Sequence, residues 1–470
     1  MEKKRTGAVT DLTRGVIWRQ LVLFALPFLF SNLLQQFYST ADAAIVGQSV
    51  GAGALAAIGS CDKLVFLLIN LFVGVSTGAS IAVAQAFGRR DEDGLSRTVH
   101  SAVTLGLLSG AFLTVIGSWL APKLLVAMNT PDDVLPMAVD YIEIYFMGMI
   151  PVMVYNMGSG ILRAMGNSKS ALLYLAVSGI INVGLDLLFV RGLSWGVKGA
   201  AAATAISQVL PAVLVFLKLT RLEESYRLRV RGLRLYGEET LYIVRVGVPA
   251  GLRMVLINIS NVIVQSRVNA FGMEAMAGCT LFFKIEGYLY AMISALSLAL
   301  TSFAGQNIGA ADYVRAKKGK RICMNLAAAV TVVLVVVLCV WAEPVCRIFT
   351  EEEPAVAYGA LQLRYQLPLY LIFSWNEIIN GAVLSSGHSV APMVISLVGM
   401  CVARVGFIFV VSEFWYDIRV VYLAFPFSWL ITHVGIQVYY YFGRWIQGKR
   451  FLEAVREQED GARMRGTERG

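Results

Sequence analysis

The chain is predicted to be an all-α polytopic membrane protein, with twelve transmembrane helices in two pseudo-symmetric six-helix lobes. Three observations predict this. The 470 residues are 57% hydrophobic and 15% charged, with a mean hydropathy of +0.66. Residues 102–121 and 324–341 carry no charge, and each run is long enough to cross a bilayer core of about 30 Å as a helix. Finally, the chain repeats itself at a spacing of 221 residues.

The repeat is read from short strings in apolar sequence. Gly51-x-x-Ala54-x-Ala56 recurs as Gly272-x-x-Ala275-x-Ala277, and Gln85-x-x-Gly88 recurs as Gln306-x-x-Gly309. Gly160, Gly166 and Ser168 recur as Gly381, Gly387 and Ser389. Duplicated membrane units are a common plan for proteins that carry solutes by rocking one half against the other.

Taken in order, the apolar runs of the first half centre near Leu29, Phe66, Phe112, Met149, Ile180 and Ile206. Those of the second half centre near Ile257, Ile293, Val333, Phe373, Phe407 and Leu430. Helix is preferred to sheet because each span in lipid must satisfy its own backbone hydrogen bonds. Pro27 and Pro249 occupy like places in the first helix of each half, where a missing N–H promotes a kink. Pro27 is therefore a hinge candidate. The hydrophilic stretch 218–239, rich in arginine, divides the lobes. The expected organisation is an N-terminal lobe over 12–217, a cytoplasmic linker over 218–239, a C-terminal lobe over 240–442 and a mixed-charge cytoplasmic tail over 443–470.

Charge sets the orientation. Of the 40 Lys and Arg, 27 fall in the tails and loops on the side of the N-terminus and 5 on the opposite side. The bias predicts both termini in the cytoplasm. It also accounts for the net charge of +9 without nucleic acid, for which no motif is present. Six scattered cysteines form no CxxC, and three histidines form no local metal pattern. No HExxH motif or TVGYG filter is found, which leaves transport ahead of membrane enzyme and channel.

Polar residues at membrane depth are costly and mark functional candidates. Asp42 is expected to end the first apolar helix. Asn182 and Asp186 are spaced i,i+4 in the fifth span, on one helix face. With a hydroxyl from Thr204 in the sixth, this set suits a proton relay or a small hard cation such as sodium at Asp42, Asn182 and Asp186. The repeat mates of Asn182 and Asp186 are Ala403 and Phe407, and the position facing Asp42 is Ile263 or Val264, so the acidic cluster belongs to the N half alone. In the C half, Glu377 lies in an apolar run opposite Asn156 of the repeat. Glu377, Tyr38, Tyr155, Asn156 and Trp375 are candidates for a substrate path, where aromatic faces hold flat cations. For Glu377, pairing with a basic neighbour is the alternative.

These strings in this order resemble the multidrug and toxic compound extrusion family. The resemblance rests on Pro27, Asp42 with Gly47, Gly51 with Ala54, Ala84-Gln85-x-x-Gly88, Leu162-Arg163-Ala164-Met165-Gly166 and Asn182-x-x-x-Asp186, and it spans about 12–442. It implies a bacterial inner-membrane antiporter that exchanges external H+ or Na+ for cytosolic lipophilic organic cations, with no other cofactor. It also implies a coupling-ion site at Asp42, Asn182 and Asp186, with Thr204 a weaker match. Some members carry acids in the seventh and tenth helices. This chain has Glu377 in the tenth and no acid in the middle of the seventh, so coupling is expected in the N lobe. A lipid-linked saccharide flippase or metabolite exporter of the same superfamily is the alternative. One chain holds both lobes, so a monomer is expected to suffice.

Overall fold

A computed structural model describes residues 10–128, 130–222, 226–443, 445 and 446. The expected tail over 443–470 lies outside the described residues except at 443, 445 and 446. The N half runs through α1 (Ile17–Ser49), α2 (Ala52–Arg89), α3 (Glu92–Ala127), α4 (Leu135–Met147), α5 (Met149–Ala164), α6 (Ser168–Asp186), α7 (Gly196–Ser207) and α8 (Val209–Thr220). The C half runs through α9 (Gly237–Asn269), α10 (Met273–Gly309), α11 (Tyr313–Val340), a short α12 (Ala342–Arg347), α13 (Glu353–Gln366), α14 (Tyr370–Leu384), α15 (Val390–Ser396), α16 (Arg404–Phe414) and α17 (Ile418–Phe442).

Among the described residues, eleven helical stretches are long and apolar enough to cross a membrane, and α4 with α5 makes the twelfth as a pair bent by 50°. The bend falls at Gly148, just before Pro151, whose missing N–H leaves the Met147 carbonyl without its helical donor. The tenth span has a similar break: a 3₁₀ turn, Leu367–Leu369, containing Pro368, separates α13 from α14. Of two π turns, Leu187–Gly192 after α6 ends the fifth span, and Leu397–Ala403 before α16 interrupts the eleventh. Asp42 does not end its helix, because α1 continues to Ser49.

The repeated residues do repeated structural work. Gly51 and Gly272 are the N-caps of α2 and α10, with φ of 110° and 97°, a region that only glycine enters readily. Asp91 and Asp312, 221 residues apart, cap α3 and α11 by accepting from the N–H of Gly94 and Arg315 at 2.8 Å. Ser80 donates to the Gly160 carbonyl at 3.1 Å, and its mate Thr301 donates to the Gly381 carbonyl at 3.4 Å.

The lobes meet along crossed first and second helices. α2 runs antiparallel to α9, where Gly74 and Gly78 lie so close to Gly251 and Gly247 that a Cβ on either would fall on opposing backbone. α1 reaches across to the C lobe: Leu21, Phe24 and Phe28 share a buried cluster with Leu296, Ala299 and Phe303 of α10. Asn32 adds a hydrogen bond to Ser294 at 3.0 Å. At one end of the bundle, α2 and α10 close on each other through the Gln-x-x-Gly repeat. A Cβ on Gly88 would fall on the Gln306 carbonyl, and one on Gly309 on the Gln85 carbonyl. Buried Gln85 donates to the Ser385 carbonyl at 2.8 Å, and buried Gln306 donates to the Ala164 carbonyl at 2.7 Å. Ser385 and Ala164 are themselves 221 residues apart, so the seam is symmetric. Gln85 also accepts from the Tyr242 hydroxyl, and Gln306 from the Leu12 N–H, both at 2.9 Å.

Candidate functional site

Two polar sites lie inside the bundle, one in each lobe, and they differ in charge. In the N lobe, α1, α6 and α7 bring Asp42, Asn182, Asp186 and Thr204 together. Asp186 is fully buried as the last residue of α6, directly before the π turn, and Asn182 sits one turn earlier at 4% exposure. Asn182 donates to Thr204 Oγ1 at 3.5 Å. Asp42, two turns from the end of α1, lies within electrostatic range of Asp186. Neither oxygen of Asp186 has a hydrogen-bond partner, and neither has Oδ1 of Asp42. A buried ionised carboxylate is unfavourable unless something compensates it. The donors present are all oxygens except the Asn182 amide nitrogen, a set that suits a proton or a hard cation.

Tyr38 packs one turn before Asp42, against Gly179 of α6. Tyr141 and Tyr145 of the bent fourth span and Asp62 of α2 are also within electrostatic range of Asp42. The sequence-based candidate set did not contain these three. Tyr141 and Tyr145 lie one helical turn apart, but their common neighbour is set by packing between spans. Tyr155 is buried and donates to the Ala171 carbonyl at 3.1 Å. Asn156 donates to the Val152 carbonyl of its own helix at 3.0 Å.

In the C lobe, a cavity of about 400 Å³ is lined from both halves by Phe66 and Asn70 of α2, by polar residues of α9 and by aromatic side chains that include Tyr290, Phe373 and Trp429. Glu377 lines it and is not a free acid. It pairs with Arg253 of α9, a residue the candidate set lacked. Arg253 also donates to Ser396 Oγ at 2.9 Å, and with the Asn380 amide oxygen turned toward it, that oxygen accepts from Arg253 Nη2 at 2.9 Å. Glu286 accepts from the Tyr370 hydroxyl. Arg404, 2% exposed, donates to Asn261 Oδ1 at 2.8 Å and Ser428 Oγ at 3.0 Å, with its guanidinium 4.5 Å from the Phe425 ring centroid. Trp375 instead lies beside His433, with ring centroids 5.9 Å apart.

A family model described as MatE matches residues 27–188 and again 249–410, one match in each lobe. The chain is 30% identical to a protein described as "Probable multidrug resistance protein YoeA" of Bacillus subtilis (strain 168), over 94% of this chain and 97% of that protein. It resembles a solved structure described as the outward-facing conformation of a multidrug resistance MATE family transporter, with a TM-score of 0.86 at 23% identity over 97% of this chain and all of the other. It also resembles one described as MATE in the bent conformation, with a TM-score of 0.85 at 22% identity over 95% of this chain and 98% of the other.

Proposed function

The chain belongs to the MatE family of membrane transporters, and from that premise we propose that it is a cation-coupled antiporter. It exports lipophilic organic cations or other amphipathic compounds by alternating access. The observation that carries this reading is the set of unpartnered oxygens on Asp42 and Asp186. One of these acids sits on α1, the helix that also packs into the opposite lobe. Protonation or sodium at Asp42 and Asp186, oriented by Asn182 and Thr204, changes the charge of a buried site on a helix shared by both lobes. Pro27 lies between Asp42 and the N-terminal end of α1, within the stretch that packs on α10. α1 is continuous through Pro27 here, and a bend there is the proposed response to occupancy.

Positive-inside bias puts the Gln85 and Gln306 seam at the cytoplasmic face of the bacterial inner membrane. In that orientation the seam closes the cytoplasmic side of the form described here. The reverse state must open the seam. No covalent chemistry on the substrate is needed.

The test is ethidium transport by purified protein in liposomes under an imposed sodium or proton gradient, with Asp42→Asn as control. Transport driven by one gradient and lost in the variant identifies the coupling ion. Normal coupled transport by correctly inserted Asp42→Asn would overturn the N-lobe mechanism. No transport under either gradient by the wild type would move the lipid-linked or metabolite cargo to the front.

A further inference from the structure

We infer that the C-lobe cavity binds flat aromatic molecules carrying an acidic group, with the guanidinium of Arg404 as the group that reads the acid. The inference takes its location from the transport reading, since the cavity is lined from both lobes and lies on the proposed substrate route, and among the amphipathic compounds of that reading it selects acids over simple organic cations. Its chemistry is independent of that reading.

A buried cation inside a membrane bundle is expensive without an anion beside it. Arg404 has its Nε and Nη1 on the neutral oxygens of Ser428 and Asn261, and among the described residues it belongs to no ion pair. The second arginine of the cavity, Arg253, already has a counter-ion in Glu377. An acidic ligand therefore has one uncompensated cation to meet, and a charge-assisted bond to arginine is among the stronger polar contacts available.

The rest of the wall suits the remainder of such a ligand. Phe425, Trp429, Phe373 and Tyr290 form a continuous set of rings: Phe425 to Trp429 at 6.3 Å, Trp429 to Phe373 at 5.3 Å and Phe373 to Tyr290 at 6.1 Å between centroids. Because Arg404 rests on Phe425, an acid bound there places an attached ring system along this wall. Glu286 also faces the cavity and holds the Tyr370 hydroxyl. A basic group elsewhere on the ligand is compatible with it, but Arg404 specifies the acid.

The repeat sharpens the contrast between lobes. Arg404 directly follows the mate of Asn182, and the mate of Asp186 is Phe407. The segment that carries Asp186 in the N lobe carries Arg404 in the C lobe, three residues before the mate of that acid. One lobe thus suits the coupling cation and the other an acidic cargo group, so the two need not compete for the same charges.

The probe set is naphthalene-2-carboxylate, its neutral carboxamide and naphthalen-2-ylmethylammonium. Binding to the full chain in neutral detergent is followed by isothermal titration and tryptophan fluorescence. Wild type is expected to bind the carboxylate about tenfold or more tightly than the amide. Arg404→Gln should lose that preference, while Arg404→Lys retains part of it. Equal binding of carboxylate and amide by wild type, tighter binding of the ammonium, or an unchanged preference in Arg404→Gln would overturn the proposal. The wild-type series decides the matter even if Arg404→Gln fails to fold. Displacement of the carboxylate by one equivalent of phosphatidylglycerol, but not of phosphatidylethanolamine, would assign Arg404 to a net-anionic lipid headgroup and overturn the aromatic-acid assignment. Failure of ethidium transport alongside a preserved carboxylate preference would count against the organic-cation cargo of the transport reading and leave the acid assignment standing.

Discussion

The two lobes differ in how their buried charges are held, and the difference fixes what substitutions should do. Asp186 is fully buried with both oxygens unpartnered, so Asp186→Asn removes a cost as well as part of the proposed ion site. The variant is expected to lose coupled efflux by at least about tenfold in liposomes, yet to lose less than roughly 1 kcal/mol of stability by scanning fluorimetry. A large fall in melting temperature would mean that Asp186 is a structural partner. Arg253 and Glu377 are the converse case, each about an eighth exposed and each matched to the other. Arg253→Ala leaves Glu377 buried without its counter-ion and should cost roughly 3–5 kcal/mol, much of it recovered in Arg253→Met/Glu377→Gln. If the single and double variants melt alike, Glu377 is not held by Arg253.

At the scale of elements, the seam between α2 and α10 carries the clearest consequence. Gly88 and Gly309 each face a carbonyl of the other lobe, with no room for a Cβ. Gly309→Leu should leave each lobe folded but hold the seam apart. Spin labels on the loops flanking α2 and α10 should report longer distances, and transport should fall by at least about tenfold. Unchanged distances would show that the seam tolerates the side chain. This contact also shows where sequence reading stops. The twelve spans, the repeat and the acidic cluster were legible because hydropathy, spacing and membrane-depth charge are local signals. The Gln-x-x-Gly repeat was visible as a string, but its role was not: its partners are the carbonyls of Ser385 and Ala164, about 300 and 142 residues away. Arg253 gives no local signal for the same reason, because its meaning depends on Glu377, 124 residues further on. The bend of the fourth span was written in Gly148 and Pro151, yet an apolar run centred on Met149 reads as one straight helix.

For the whole molecule, the proposed antiport makes α1 the link between ion and cargo. Its N-terminal part packs on α10 of the C lobe, and its C-terminal part carries Asp42 beside α6 of the N lobe. A change at Asp42 therefore acts on an element common to both halves, and the cargo cavity is itself lined from both. If ion and cargo favour opposite arrangements of the lobes, each must weaken the other's binding by the same factor, because coupling between two binding equilibria is reciprocal. Saturating the protein with its coupling ion is expected to raise the dissociation constant of a bound cargo probe by about fivefold or more, within the usual range of such couplings. Saturating cargo should lower affinity for the ion by an equal factor. Asp42→Asn should remove both effects while leaving cargo affinity measurable, since Asp42 lies in the other lobe from the cavity. Titration calorimetry in detergent measures all four constants. Equal factors that vanish in the variant place the exchange in α1, whereas cargo affinity that ignores the ion would leave the two sites uncoupled and the antiport cycle without its link.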